Sequence, residues 1–182
     1  MSKKIGLALG GGGARGVCHI GVIKALEEAG IKPDFISGCS MGSVVGACYS
    51  KGMPTDEMME IVSKLSALKL IDLTVAPITK LGLLQGNKMN RLLNEHIGDI
   101  QFSDLNIPFT CVATDLYKGE VVTLSEGSVS RAVRASSSIP IIFPPVKYPN
   151  QLLVDGGVLC RVPVNQCWAM GADVVIAVDA LV

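Results

Sequence analysis

Apolar residues fall into two rhythms along this chain. Short, largely apolar runs at Ile5–Leu9, 35–37, 108–114, 151–154 and 174–179 have the length and composition of buried strands. Between them, apolar positions recur at helical spacing. A helix is predicted over 15–29, ending at Gly30 with Pro33 beyond it. A second follows Ser40, and its Gly42, Ser43, Gly46 and Ala47 allow close approach to a sheet. Thr55 reads as the N-cap of a third, with Asp56 and Glu57 in its first turn and Met58, Ile61, Val62, Leu65 and Leu68 on one face.

The stretch 70–84 is apolar but interrupted by Pro77 and Gly82, and reads as irregular. Further helices are expected over 87–97, over 128–137 and after Pro163. Lys118-Gly119 is a turn between the strand 108–114 and a hairpin partner over 120–124. Ile139-Pro140 and Phe143-Pro144-Pro145 make a rigid extended loop. Strands alternating with helices, several of them apolar throughout, predict an α/β fold: three αβα layers around a mainly parallel central sheet.

The 182 residues suit one domain with a sizeable core. Hydrophobic residues make up 49% and aromatics only 4%, so aliphatic side chains and Met must fill that core. Sixteen basic and 16 acidic residues cancel, which argues against a nucleic-acid partner. The six cysteines form no C-x-x-C pair and read as small buried hydrophobes in a reducing compartment. No clustered ligands suggest a metal, and no cofactor is expected. The apolar run after Lys3-Lys4 stops at Leu9, short of a signal peptide. A cytoplasmic location follows, with peripheral membrane contact at most. The last strand reaches almost to the final residue, as in a domain cut short at its C-terminus.

Chemistry concentrates in three places. Gly38-Cys39-Ser40-Met41-Gly42 lies between a short strand and a small-residue helix, the pattern of a nucleophile elbow. Upstream, Gly10-Gly11-Gly12-Gly13-Ala14-Arg15-Gly16 joins a strand to a helix. It contains G-x-G-x-x-G, but a dinucleotide site needs an acid at the end of the second strand, where Gly38-Cys39-Ser40 stands instead. The loop suits an oxyanion hole better, its amides converging on an anion near the Arg15 charge. Downstream stands Asp155-Gly156-Gly157.

Ser40 needs a base. The only histidines, His19 and His96, precede every late acid, so the order Ser, acid, His is impossible. Both read as structural histidines. A carboxylate is then the base: Asp155, exposed at a strand end and followed by two glycines, is best placed, and Asp115 and Asp179 compete with it. A Ser–Asp dyad is workable, because a carboxylate in a low-dielectric setting gains basicity.

In this order the GGGARG loop, GCSMG and DGG resemble the patatin-like phospholipase family, in particular its small bacterial members. Ala113-Thr114-Asp115, Ile139-Pro140, Phe143-Pro144-Pro145 and Pro163-Val164-Asn165 add to the likeness, which spans essentially the whole chain. The resemblance implies Ser40 as nucleophile, Asp155 as general base and an oxyanion hole at Gly11, Gly12 and Gly13. Arg15, Gly16, Gly38, Gly42, Gly156 and Gly157 would support them. It implies metal-free hydrolysis of lipid acyl esters, phospholipid or lysophospholipid, with transient contact to a membrane surface. The alternative is a regulatory or scaffold protein that keeps the fold with little activity.

Overall fold

The computed structural model describes residues 3–67 and 81–181. Most of the stretch read as irregular over 70–84 lies outside the described residues; positions 81–84 open a helix instead.

In chain order the elements are β1 (Ile5–Leu9), a 3-10 turn (Gly13–Val17), α1 (Cys18–Glu28), β2 (Phe35–Cys39), α2 (Met41–Lys51), α3 (Thr55–Ala67) and α4 (Leu81–His96). Then come β3 (Phe109–Asp115), β4 (Glu120–Leu124), α5 (Val129–Ser136), β5 (Val146–Tyr148), β6 (Gln151–Asp155), α6 (Val164–Met170) and β7 (Val174–Val178). The predicted helix 15–29 splits because its first turn is 3-10. Thr55 is already helical, and its hydroxyl reaches Glu27 at 3.4 Å rather than capping its own helix.

The sheet is mixed. β7, β1, β2 and β3 run parallel, while β4, β5 and β6 are antiparallel to their neighbours. β5 was not anticipated from the sequence. It folds back on β6 through Pro149-Asn150, where Asn150 adopts φ 60. Alternation along β1 builds the layers. Leu7 and Leu9 enter a large core with α2, α3, α4 and α5 residues, whereas Ala8 points the other way onto Cys167 of α6. Helices therefore cover both faces.

Register explains how the ends of two strands come together. β4 pairs with residues 111–115 along one edge of β3. Along the other edge β2 pairs with 109–112 and β6 with 113–115. β2 thus stops at Cys39 opposite Val112, and β6, arriving from the opposite direction, stops at Asp155 opposite Ala113.

Candidate active site

Ser40 follows the last residue of β2 and precedes the first of α2. Its φ of 50 and ψ of −122 are unusual for a residue with a Cβ, a strain of about 1–3 kcal/mol. Sterics account for the bracketing glycines. A Cβ on Gly38 would lie 2.5 Å from Ser43 Cα, and one on Gly42 would strike the Leu9 carbonyl oxygen. The Ser40 carbonyl accepts the Ser43 amide at 2.8 Å and its hydroxyl at 2.6 Å, and the Ser40 amide donates to Ser136 Oγ at 3.0 Å.

Asp155 is 6% exposed, not open at a strand end as the sequence suggested. The β3 edge and the chain after Gly156 close over it. A Cβ on Gly156 would collide with the Val112 carbonyl, so this close approach needs glycine. The Asp155 amide donates to the Ser138 carbonyl at 2.9 Å, and Oδ1 accepts the Gly157 amide at 2.7 Å. The Cys39 thiol lies 4.0 Å from the same oxygen. Oδ2 is buried and has no partner at standard hydrogen-bond geometry. Burial raises the Asp155 pKa, while the nearby Ser40 hydroxyl and the Gly157 amide favour its charged form. The Ser40 hydroxyl and the Asp155 carboxylate are therefore neighbours without a hydrogen bond of standard geometry between them.

The competing carboxylates have other duties. Asp115 Oδ1 accepts the Tyr117 and Leu152 amides at 3.0 and 3.2 Å, tying β3 to β6. Asp179 lies beyond β7, on the other side of β1 from β2, and the Leu181 amide and then the Arg161 guanidinium hold it below the usual carboxylate range.

The glycine loop reaches Ser40 directly. A Cβ on Gly11 would sit 3.7 Å from both Ser40 Cβ and Cys39 Sγ, and one on Gly16 only 2.6 Å from Met41 Cβ. The Gly11 amide donates to the Arg161 carbonyl at 2.9 Å, whereas the Gly12 and Gly13 amides donate to no group among the described residues. Arg15 is exposed on the 3-10 turn and joins none of the ion pairs among those residues.

Both histidines stand apart from the pair. His19 is fully buried, and its Nε2 lies 2.8 Å from the Gly10 carbonyl, so Nε2 carries the proton. Burial holds its pKa below the usual value and keeps it neutral. His96 lines the cavity described next but hydrogen-bonds neither Ser40 nor Asp155 through its ring.

An apolar cavity of about 260 Å³ opens at Ser40. Val44 and Cys48 of α2, Met58 and Ile61 of α3, and Met89 and Leu93 of α4 contribute walls, with Ile139 and Phe143 at another side. The helical face Met58, Ile61 and Val62 is thus partly cavity wall. Sequence reasoning missed Ser136 and Ser138, the partners of Ser40 and Asp155. Three consecutive serines, 136–138, were the available signal.

Among the described residues, no group of three or more His, Cys, Asp or Glu side chains could hold a metal ion, and no helix is long and apolar enough to cross a membrane.

A three-layer α/β fold with a strained serine at a strand-to-helix turn, facing a buried aspartate, defines the class. The chain belongs to the patatin-like phospholipase family, whose model matches residues 7–168. It is 38% identical over 183 residues to lysophospholipase nte1 of Aspergillus fumigatus, a match covering 97% of this chain and 12% of that protein. An uncharacterized NTE family protein of Mycobacterium tuberculosis is also 38% identical, over 178 residues, covering 98% of this chain and 49% of its own. The chain thus spans about an eighth of the fungal relative and half of the mycobacterial one. Its fold resembles VipD from Legionella pneumophila, with a TM-score of 0.62 and 17% identity over 86% of this chain and 46% of that one. ExoU from Pseudomonas aeruginosa, in its complex with SpcU, gives 0.55 and 20% over 76% and 38%.

Proposed function

We propose that this chain is a serine acyl hydrolase that cleaves lipid acyl esters, lysophospholipids or phospholipids, through a Ser40–Asp155 dyad. The observation that carries the reading is the meeting of the two groups: a strained serine and a buried carboxylate with one unpartnered oxygen, brought end to end at one edge of β3 beside an apolar cavity. The lysophospholipase relative supports the lipid substrate, and the cavity is apolar enough to take an acyl chain.

In this reading Ser40 Oγ attacks the ester carbonyl and its proton passes to Asp155. The amides of Gly12 and Gly13 receive the negative charge on the carbonyl oxygen. Collapse breaks the ester C–O bond, and Asp155 returns the proton to the leaving alkoxide, which departs as an alcohol. A water then gives its proton to Asp155 and attacks the acyl–Ser40 ester. Collapse frees the fatty acid and restores the Ser40 hydroxyl with that proton. The raised pKa of Asp155 suits it to both transfers, because a base works best near the operating pH.

Labelling with a fluorophosphonate probe tests the nucleophile, with the modified peptide located by mass spectrometry and turnover followed on a lysophosphatidylcholine. Modification at Ser40 together with loss of turnover in Ser40→Ala is expected. Folded protein that resists the probe and leaves the lipid intact would instead favour the scaffold reading.

A further inference from the structure

Ile141 carries an unusual combination of features. It adopts φ 74, in the left-handed region, and is 79% exposed. A β-branched residue there is a genuine outlier, since its Cβ crowds the backbone. Single exposed apolar residues are ordinary, but strained ones are not. The turn is closed by the Ile142 and Phe143 amides on the Ile139 carbonyl, at 3.2 and 2.9 Å. With Pro140 and Ile141 at its two central positions, it calls for Gly or Asn at 141. Nothing in the fold offsets the cost, because the side chain stands in solvent.

The place of this turn points to what the side chain meets. Its two stems, Ile139 and Phe143, line the cavity that opens at Ser40. Continuing along the same segment, Pro144, Pro145 and Lys147 join Ser130, Arg131 and Arg134 around a separate concavity of about 440 Å³, which no acidic side chain lines among the described residues. Arg131 is held in place there: Nη2 donates to the Lys147 carbonyl at 2.6 Å and the guanidinium stacks 4.5 Å from the Tyr148 ring centroid. Arg134 is buried, its Nη2 reaches the Pro144 carbonyl at 3.3 Å, and no carboxylate among the described residues pairs with it. One segment thus presents an exposed apolar tip beside uncompensated positive charge. That pairing suits the boundary between acyl chains and anionic headgroups.

We propose that the turn around Ile141 is the membrane-docking element of this protein. Ile141 enters the acyl boundary of an anionic phospholipid bilayer, while Arg131 and Lys147 meet its phosphates. The inference rests on the lipid-ester reading above and adds where the bilayer sits: beside the cavity, so that an acyl chain leaves the membrane past Ile139 and Phe143.

The test uses the whole chain with vesicles of phosphatidylcholine and phosphatidylglycerol in equal parts, and with phosphatidylcholine vesicles alone. Co-sedimentation reads binding, and a soluble short-chain p-nitrophenyl ester reads chemistry. Ile141→Gly and Ile141→Asn should lower partitioning onto the mixed vesicles at least about threefold, since an apolar side chain is lost from the interface. Both should keep wild-type turnover of the soluble ester and a Tm equal to or above wild type, because the strained residue is gone. Lys147→Glu should lower binding to mixed vesicles about fivefold or more and to phosphatidylcholine hardly at all. Equal partitioning of wild type and both Ile141 variants would overturn the proposal. So would a fall in Tm in both variants, which would show that Ile141 serves the fold. Inorganic phosphate that displaces the protein fully from mixed vesicles would also overturn it, by showing a site for a free anion. An inert soluble ester with intact vesicle binding would count against the hydrolase reading alone.

Discussion

The Ser136 hydroxyl accepts the Ser40 amide proton at 3.0 Å, across 96 residues of sequence. Two residues on, the Ser138 carbonyl accepts the Asp155 amide at 2.9 Å. The end of α5 therefore holds both members of the proposed dyad by their backbones, and Arg134 braces it through Ser138 Oγ at 2.5 Å. Ser136→Ala should leave the buried Ser40 amide without an acceptor. Stability should fall by about 1–3 kcal/mol in a urea titration. kcat should fall about 10–100-fold as the elbow loosens, with KM nearly unchanged. Ser136→Thr, which keeps the acceptor, should recover much of both.

Asp155 sets the expected pH dependence. Burial raises its pKa above the ordinary carboxylate value of about 3.9. As a base it must be ionised, so the acid limb of kcat/KM should lie above that value and move toward it in any variant that opens the site to water. An acid whose folded pKa is raised adds stability that is complete below its unfolded pKa and lost as pH rises through the folded one. Asp155→Asn should therefore have a higher Tm than wild type at neutral pH, and the gain should vanish in acid. Turnover should fall about 10²–10⁴-fold.

The glycines divide by what surrounds them. Gly42→Ala would drive a methyl into the Leu9 carbonyl and within 2.5 Å of the Gly10 oxygen. It should cost about 3 kcal/mol or more. Gly11→Ala meets only ordinary contacts of 3.7 Å, so Tm should stay close to wild type. Its methyl would lie over Ser40, however, and kcat/KM on bulky esters should drop. Thermal melts beside turnover measurements separate the two outcomes.

Val44 lines the cavity next to the serine. Val44→Phe should fill part of it. p-Nitrophenyl acetate should still be cleaved within about threefold of wild type, while long-chain esters lose about 10–200-fold in kcat/KM, the range a misfit apolar pocket imposes. An unchanged chain-length profile would place the acyl chain elsewhere.

Much of this protein was legible in the order of its residues. Helix and strand positions followed hydrophobic spacing, because side chains that must face one core recur at 3.6 or 2 residues. The elbow was legible because its pattern is local: Ser43, in the same turn, excludes a Cβ from Gly38, although the clash that excludes one from Gly42 comes from Leu9 on β1. The absence of a histidine after His96 is a matter of composition, and it leaves a carboxylate as the base.

Three things were left to the tertiary structure, each because it depends on residues far apart in the chain. Which of Asp115, Asp155 and Asp179 lies beside the elbow turns on register: β6 runs antiparallel into the edge that β2 vacates, so Cys39 and Asp155, 116 residues apart, become neighbours. The burial of Asp155 follows from that edge and from Gly156 lying on β3, which no local pattern announces. The loop's free donors were decided by the Arg161 carbonyl, which claims the Gly11 amide and leaves those of Gly12 and Gly13. Local sterics place a serine on a turn; only contacts between distant parts of the chain determine which carboxylate and which amides it faces.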